Sequence, residues 1–209
     1  MDGSSKAHQI SDLAELERIY GQPMAASIRK EIDYIHPHYQ AFIEAAPFAV
    51  LATSGPDGLD ASPRGDPAGF IHVQDEKTLL LPDRRGNNRI DSLRNIISDP
   101  RVAIIFLIPG IGETVRVNGR ASIHNDPALL ERFAIEGKVP HTVLKIAVEA
   151  VFFQCSRAIL RSGLWKAEQQ IERSSLPSLG TILSDLSGSE IDGEKYDADL
   201  PQRLKTSIY

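Results

Sequence analysis

Residues 84–89 read Arg84-Arg85-Gly86-Asn87-Asn88-Arg89, three cations and two amides set around a glycine. A guanidinium binds an oxyanion through parallel N–H donors, and the amide side chains add neutral donors. The residues that follow, Ile90, Leu93, Ile96 and Ile97, have helical spacing, so the loop opens a helix. Unpaired N–H groups and the helix dipole favour negative charge there. This order of residue types suits a phosphate, and the expectation is a phosphate carried by a cofactor. It is not a Walker loop, because no Gly-Lys-Ser/Thr ends it. Gly110-Ile111-Gly112 lacks the third glycine and the strand–helix setting of a dinucleotide fingerprint.

Other reactive side chains point less clearly to chemistry. The six histidines form no convincing metal set, since His36-Pro37-His38 has no third ligand in matching context. Cys155, the single cysteine, is expected to be a buried small residue rather than a nucleophile. Arg116 and Arg120 fall on one face of an alternating run, where a ligand, a partner subunit or plain solvent are all candidates. Arg64-Gly65-Asp66 spells an adhesion tripeptide, but with no signal peptide and no disulfides it is read as coincidence.

Bulk properties bound the rest. The 209 residues are 42% hydrophobic and 24% charged, as in ordinary globular proteins. A formal net charge of −5 argues against a general nucleic-acid binder. No apolar run reaches the roughly 18 residues of a membrane helix, and Met1-Asp2-Gly3-Ser4-Ser5-Lys6 has no secretory core. One cysteine cannot form an internal disulfide, so a cytoplasmic location is expected.

The elements that must position the loop can be read in order. Residues 1–9 are expected to be disordered. Ser11 or Asp12 caps a short helix over Leu13, Leu16 and Ile19 that ends at Gly21, Pro23 sits in the first turn of a second, and Pro37 opens a third. From Phe48 the period changes to that of strands. Residues 48–53 and 59–62 form a hairpin around Ser54-Gly55-Pro56-Asp57-Gly58, and residues 71–73 and 78–81 form another. Pro82 ends that strand, the arginine loop follows, and Asp99-Pro100 stops the helix after it. Residues 102–108 are continuously apolar and expected to be buried on both faces. Residues 114–123 alternate, with Val115, Val117, Gly119, Ala121 and Ile123 on one face. Asp126-Pro127 opens a further helix, and residues 143–153 are a last strand. A short helix precedes Trp165, another covers Ile182, Leu183 and Leu186, and the acidic residues 187–199 are read as a solvated, mostly flexible tail. Strands do not alternate regularly with helices, so the fold class is mainly β with α additions. It is an antiparallel barrel or open sheet of six or seven strands. The divisions expected are a helical extension over 1–35, a barrel domain over 36–165, and a C-terminal helix with an acidic, partly flexible tail over 166–209.

Two motifs carry a resemblance. Asp60-Ala61-Ser62-Pro63-Arg64-Gly65-Asp66 follows the first strand, and Leu80-Leu81-Pro82-Asp83-Arg84-Arg85-Gly86-Asn87-Asn88-Arg89 precedes the helix. Together with residues 101–107 and 115–120, the chain resembles the pyridoxamine 5′-phosphate oxidase-like, FMN-binding split-barrel flavoproteins. More narrowly, it looks like a bacterial branch whose members carry Ser-Pro-Arg-Gly-Asp and Pro-Asp-Arg-x-Gly-Asn-Asn-Arg. The resemblance implies a six-stranded antiparallel split β-barrel with helical flanks, and a homodimer with FMN at the subunit interface. Carried onto this chain, it places Ser62, Pro63, Arg64, Gly65 and Asp66 at the flavin ring and ribityl chain. Pro82, Asp83 and Arg84 fall at the end of the next barrel strand, and Arg85, Gly86, Asn87, Asn88 and Arg89 at the phosphate. Arg64 is a candidate for positive charge near the flavin N1–C2=O edge, or alternatively for a turn pair with Asp66 or Asp60. Trp165 is a candidate to cover a flavin from the other subunit, or a core or interface tryptophan. The basic and aromatic C-terminal pattern of true pyridoxamine-phosphate oxidases has no match here, so vitamin B6 chemistry is not carried over.

The function implied is an FMN-dependent oxidoreductase taking a hydride at flavin N5 from a reduced nicotinamide or a small organic substrate. The alternatives are a non-catalytic, redox-responsive or storage flavin binder, or a split barrel holding F420 or haem. Haem would need His72 or His124 as axial ligand, and F420 an anionic-tail groove near Arg116 and Arg120. No side chain is assigned as a catalytic acid or base, no metal is expected, and neither nucleic acid nor membrane is an expected partner.

Overall fold

Gly55 and Gly58 face each other across a two-residue tip, Pro56-Asp57, and this turn folds β1 (Phe48–Gly55) onto β2 (Gly58–Gly65). Gly58 has φ +120°, which side chains with a Cβ rarely adopt. The computed structural model of the protein describes residues 8–209, so the disorder expected for residues 1–7 lies outside the described residues.

The other strands are β3 (His72–Asp75), β4 (Thr78–Asp83), β5 (Arg101–Leu107), β6 (Thr114–His124) and β7 (Thr142–Gln154). All pairings are antiparallel, in the order β2-β1-β5-β6-β7-β4-β3. The sheet therefore has seven strands where the resemblance implied six. The edge beyond β4 is β3, a four-residue strand whose register on β4 shifts between Val73 and Asp75. Although β2 is one edge of this order and β4 lies near the other, Arg64 of β2 forms an ion pair with Asp83 of β4. The sheet must curl for these two ends to meet, as a split barrel requires.

Period-2 patterning fills the interior. Leu51, Ile104, Val117 and Ile146 are 0–2% exposed within one apolar cluster. Burying each such side chain contributes about 1.5–3 kcal/mol. In β5 only alternate residues, Val102, Ile104 and Phe106, are buried. The strand expected to be buried on both faces thus has one face half-covered. β4 is the strand enclosed on both sides, with Leu79, Leu80, Leu81 and Pro82 buried. Along β6 the expected apolar face points inward, across a register shift at Asn118 and Gly119.

Before the sheet come α1 (Leu13–Tyr20), α2 (Ala25–Arg29) and α3 (Pro37–Ala45). Asp12 caps α1 by accepting from the N–H of Glu15 at 3.2 Å, and Gly21 ends it with φ 69°. Pro23 lies just before the second helix, whose N-cap is Met24. Of these three helices only α3 buries a side chain, Ile43. Between strands lie α4 (Asp91–Ser98) and α5 (Pro127–Glu131), and α6 (Arg157–Ser162) follows the sheet. Cys155 is exposed, contrary to the burial expected, because it falls just after β7 leaves the sheet.

The acidic stretch is also more ordered than its charge suggested. After α7 (Leu179–Leu186) comes α8 (Gly193–Ser207), capped by Asp192, which accepts from the N–H of Lys195 at 3.0 Å. Acids at a helix N-terminus are stabilising rather than merely solvated. The two helices approach closely because Gly180 faces Gly193: a Cβ on Gly180 would lie 2.0 Å from the Gly193 carbonyl oxygen. Asp197 accepts from the Gly180 N–H at 2.8 Å. Among the described residues, no helix is long and apolar enough to cross a membrane.

Candidate functional site

The C-terminal halves of β2 and β4 end side by side at the mouth of the curled sheet, and α4 starts over the gap between them. The result is an open cleft of about 1270 Å³. Its lining includes Ser62, Pro63, Arg64, Gly65 and Asp66 from one side, and Pro82, Asp83, Arg84, Arg85, Gly86, Asn87, Asn88 and Arg89 from the other. These residues are about 20 positions apart in sequence, and strand pairing through β1, β5, β6 and β7 brings them together. Trp165 does not join them. Its indole N–H donates to the Ile111 carbonyl at 2.7 Å, which holds it on the loop between β5 and β6, away from the cleft of its own chain.

The helix that should present its dipole is docked by polar contacts. Ser92, Asn95 and Ile96 are its buried residues, whereas Ile97, expected on the inner face, is 78% exposed. The Asn95 amide donates to Thr53 Oγ1 at 3.1 Å. Gly55 leaves room for that amide, since a Cβ there would sit 2.1 Å from Asn95 Oδ1. Ser92 donates to Asp60 at 2.5 Å and receives Arg64 Nη2 at 3.2 Å. Two polar side chains thus share the buried face with Ile96 and Leu93 and take the place expected for Ile97, because they satisfy groups at the barrel rim.

No side chain caps this helix: Ile90 occupies the N-cap position with φ 54°, and Asn88 two residues earlier has φ 59°. A left-handed β-branched residue costs about 1–3 kcal/mol, a type of strain that clusters at functional sites. The N–H groups of the first turn thus receive no side-chain acceptor from the N-cap residue, and the loop that carries Arg85 and Arg89 leads directly into this turn.

Charge in the cleft is divided between paired and available cations. Arg64 is committed to Asp83 and Ser92, not to the Asp66 or Asp60 considered from sequence. Arg84 donates from Nε to Asp66 at 2.7 Å and from Nη1 to the Phe133 carbonyl at 2.5 Å. The Asp66 side chain is 2% exposed and that of Arg84 18%, so this is an interior ion pair. Arg89 pairs with Asp91 at 2.8 Å, but its side chain is 75% exposed. Arg85 is exposed and has no side-chain partner among the described residues. Arg85 and Arg89 are therefore the two arginines positioned to meet a ligand, while Arg64 and Arg84 brace the walls. Two buried polar atoms in this wall, Arg64 Nε and Thr142 Oγ1, lack a protein partner.

One wall was not legible from the motifs. Tyr209 reaches the cleft from beyond α8 and donates its phenol O–H to Asp66 Oδ1 at 2.6 Å. Its ring lies 5.9 Å from the Arg84 guanidinium, and Lys138 Nζ donates to its main-chain oxygen at 3.0 Å. The bond to Asp66, followed by burial and the carboxylate charge, raises the Tyr209 pKa above the ordinary tyrosine value. The aliphatic Ile208 and the aromatic Tyr209, following a polar helix, are the sequence signal that could have been weighed. His141 and Thr142, at the start of β7, complete that side. Of the haem-ligand candidates, His72 is exposed on β3 and His124 bonds to Ser122 at 2.7 Å, and neither lines the cleft. Among the described residues there is no cluster of three or more metal-ligating side chains.

A curled antiparallel sheet with a polar cleft at the paired ends of its second and fourth strands defines a split-barrel protein. A family model described as "Pyridoxamine 5'-phosphate oxidase" matches residues 35–155, more than half of the chain, and the protein belongs to that family. Among solved structures, HupZ of Group A Streptococcus is 22% identical. That alignment covers 58% of this chain and 95% of the other, with a TM-score of 0.48. General Stress Protein 26 from Bacillus anthracis is 18% identical over 54% of this chain and 88% of its own, with a TM-score of 0.41. A protein related to general stress protein 26 from Clostridium acetobutylicum is 14% identical over 56% and 86%, with a TM-score of 0.45. No curated protein matches the chain.

Proposed function

We propose that the cleft binds FMN and that the protein is an FMN-dependent oxidoreductase acting on a small molecule. The observation that carries this reading is the placement of two exposed arginines, Arg85 without a side-chain partner among the described residues and Arg89 paired only with the partly exposed Asp91, beside an uncapped helix start in a cleft large enough for a flavin mononucleotide. A phosphate monoester carries about −1.5 to −2 charges at neutral pH, which two guanidinium groups and first-turn N–H donors complement. Each charge-assisted hydrogen bond contributes about 1.5–3 kcal/mol. The unpartnered Arg64 Nε and Thr142 Oγ1 fit the need for donors toward a polar ring or ribityl chain. Membership of the pyridoxamine 5′-phosphate oxidase family supports the same ligand.

Bound FMN supplies hydride and electron transfer; the residues of this chain supply binding, orientation and electrostatics. Arg85, Asn87, Asn88 and Arg89 would hold the phosphate. Ser62, Pro63, Arg64, Gly65 and Asp66 would line the ring and ribityl end, with Arg64 kept rigid by Asp83 and Ser92. Asp66 fixes Arg84 and Tyr209 together, so the wall between these two ends is a single hydrogen-bonded unit. The protein is further proposed to act as a homodimer with the flavin at the interface, as the family resemblance implies. Phe48 and Phe153, 39% and 40% exposed, leave apolar surface for a second copy. A reduced nicotinamide or small organic molecule would be the electron donor.

The visible spectrum of the purified protein tests this directly. Flavin bands, or their appearance on adding FMN, are expected, and NADPH or NADH under anaerobic conditions should bleach them. A protein that stays colourless and binds no added FMN would remove this reading, and bands without bleaching by any reductant would favour a passive binder.

A further inference from the structure

We infer that Ser92 is a positioning residue for the ring end of the site. It holds Arg64 so that one N–H, that of Nε, is left to meet an uncharged acceptor of the ligand, a carbonyl oxygen or a ring nitrogen. The identity of the ligand rests on the FMN reading above; the orientation of Arg64 does not.

The place of Ser92 is fixed without help from Arg64. Ser92 and Asn95 are three positions apart on α4, and both are buried. Their partners, Asp60 and Thr53, stand directly opposite each other in the β1–β2 hairpin. Side chains at i and i+3 of a helix are about 5–6 Å apart, and direct cross-strand neighbours about 4.5–5.5 Å apart. The two spacings match, so the helix docks on one rung of the hairpin through two side-chain bonds. The direction of the Ser92 bond is fixed as well. A carboxylate only accepts, so the one hydroxyl proton of Ser92 goes to Asp60, and Oγ is left to accept from Arg64 Nη2.

Arg64 is therefore gripped from two elements, Nη1 by Asp83 of β4 and Nη2 by Ser92 of α4. A planar guanidinium held at both terminal nitrogens has one orientation. The donor it leaves over is Nε, which is buried in the cleft wall without a protein partner. A buried donor with no acceptor is costly, and a ligand that supplies the acceptor removes that cost. Asp83 already compensates the charge, so this position favours an uncharged acceptor over a second anion. Ser92 lies in the first turn of the helix proposed to meet the phosphate, only three positions from Arg89. A role there would weaken FMN alone, whereas a role exerted through Arg64 weakens FMN and riboflavin alike.

The test is fluorescence titration of the full chain with FMN and with riboflavin. Ser92→Ala should weaken both about tenfold, the effect of misplacing one charge-assisted donor. Arg64→Gln should also weaken both, and adding Ser92→Ala to it should change little, because the serine acts through the arginine. A second measurement needs no ligand. The Arg64 Nε–H resonance of the flavin-free protein, assigned by its absence in Arg64→Gln, should exchange slowly with water in the parent and rapidly in Ser92→Ala. If thermal melts show that Ser92→Ala does not fold, Ser92→Cys, whose sulfur is a weak acceptor, replaces it with the same expectations. The proposal fails if the folded Ser92 variant binds both flavins as the parent does, or if it loses FMN but not riboflavin. It also fails if the losses of Ser92→Ala and Arg64→Gln add in full, or if the Nε–H exchange is unchanged. A parent that binds neither flavin overturns the FMN reading, and the exchange measurement still decides whether Ser92 holds Arg64.

Discussion

Tyr209 and Asp66, separated by 143 positions, are joined by a phenol-to-carboxylate hydrogen bond of 2.6 Å. The same carboxylate accepts from Arg84 Nε at 2.7 Å, so three distant parts of the chain meet on one nearly inaccessible side chain. Asp66 follows β2, Arg84 follows β4, and Tyr209 follows α8.

Removing the node should therefore cost more than removing its Tyr209 arm. Asp66→Ala strands the mostly buried Arg84 guanidinium, and breaking a buried pair from one side costs about 3–5 kcal/mol. Tyr209→Phe removes one hydrogen bond to a charged group and, at a half-buried position, is expected to cost about 1 kcal/mol. Urea denaturation of the two variants would rank them. Equal, small losses would mean that Arg84 finds another partner and that the node is not structural.

The raised pKa of Tyr209 sets a direction for pH dependence. A tyrosine whose folded pKa exceeds its unfolded value of about 10 stabilises the fold fully below that value. The contribution disappears as pH rises through the folded pKa. Stability should accordingly fall at the alkaline end, and phenolate absorbance should show a late-titrating step that Tyr209→Phe deletes. At the acid end, the Asp99 pKa is lowered to about 2 by its hydrogen bonds from Arg101. Its contribution is present above about 4 and is lost as pH falls toward 2. If the step that Tyr209→Phe deletes lies at the ordinary tyrosine value rather than above it, the phenol is not held by Asp66.

How much of this was legible in the sequence differs by region, for physical reasons. Hairpins and the alternating strand around Val117 follow from local period and turn chemistry, which sequence displays directly. The two cleft motifs were legible because each is a compact run of donors; that they face each other depends on a sheet that curls. The pairing of Arg64 with Asp83 was not legible, since the nearer acids Asp60 and Asp66 looked equally suitable. Ile97 misled because Ser92 and Asn95 had rim partners that no helical period reveals. The helix over Gly193–Ser207 was not legible because charge was weighed without the Asp192 cap or the Gly180–Gly193 contact, although the segment is as solvent-exposed as its charge suggests. As a result the Tyr209 wall went unseen.

That glycine contact makes a prediction of its own. A Cβ at Gly180 would also lie 2.6 Å from Asp197 Oδ2, so alanine cannot be accepted without separating α7 from α8. Overpacking of this kind costs about 1–3 kcal/mol. Gly180→Ala should increase proteolytic cutting within 187–207 while leaving the barrel strands protected in hydrogen exchange. Uniform loss of protection across the sheet would instead mean that the helical pair is part of the main folding unit.

The division of arginines into braces and free cations makes the sharpest forecast about binding. Arg89 is exposed and pairs only with Asp91 beside the open start of α4, so Arg89→Ala should leave the melting temperature nearly unchanged. It should weaken FMN about tenfold or more while barely affecting riboflavin, which lacks the phosphate. Arg84→Ala should behave in the opposite way, because it leaves Asp66 buried without its cation. Its main effect is lost stability, with FMN and riboflavin weakened to a similar degree. Fluorescence titration of both ligands against both variants separates the two roles. Equal losses of FMN and riboflavin in Arg89→Ala would take Arg89 out of the phosphate site. A selective loss of FMN in Arg84→Ala would mean that the Asp66 pair opens to let that arginine bind.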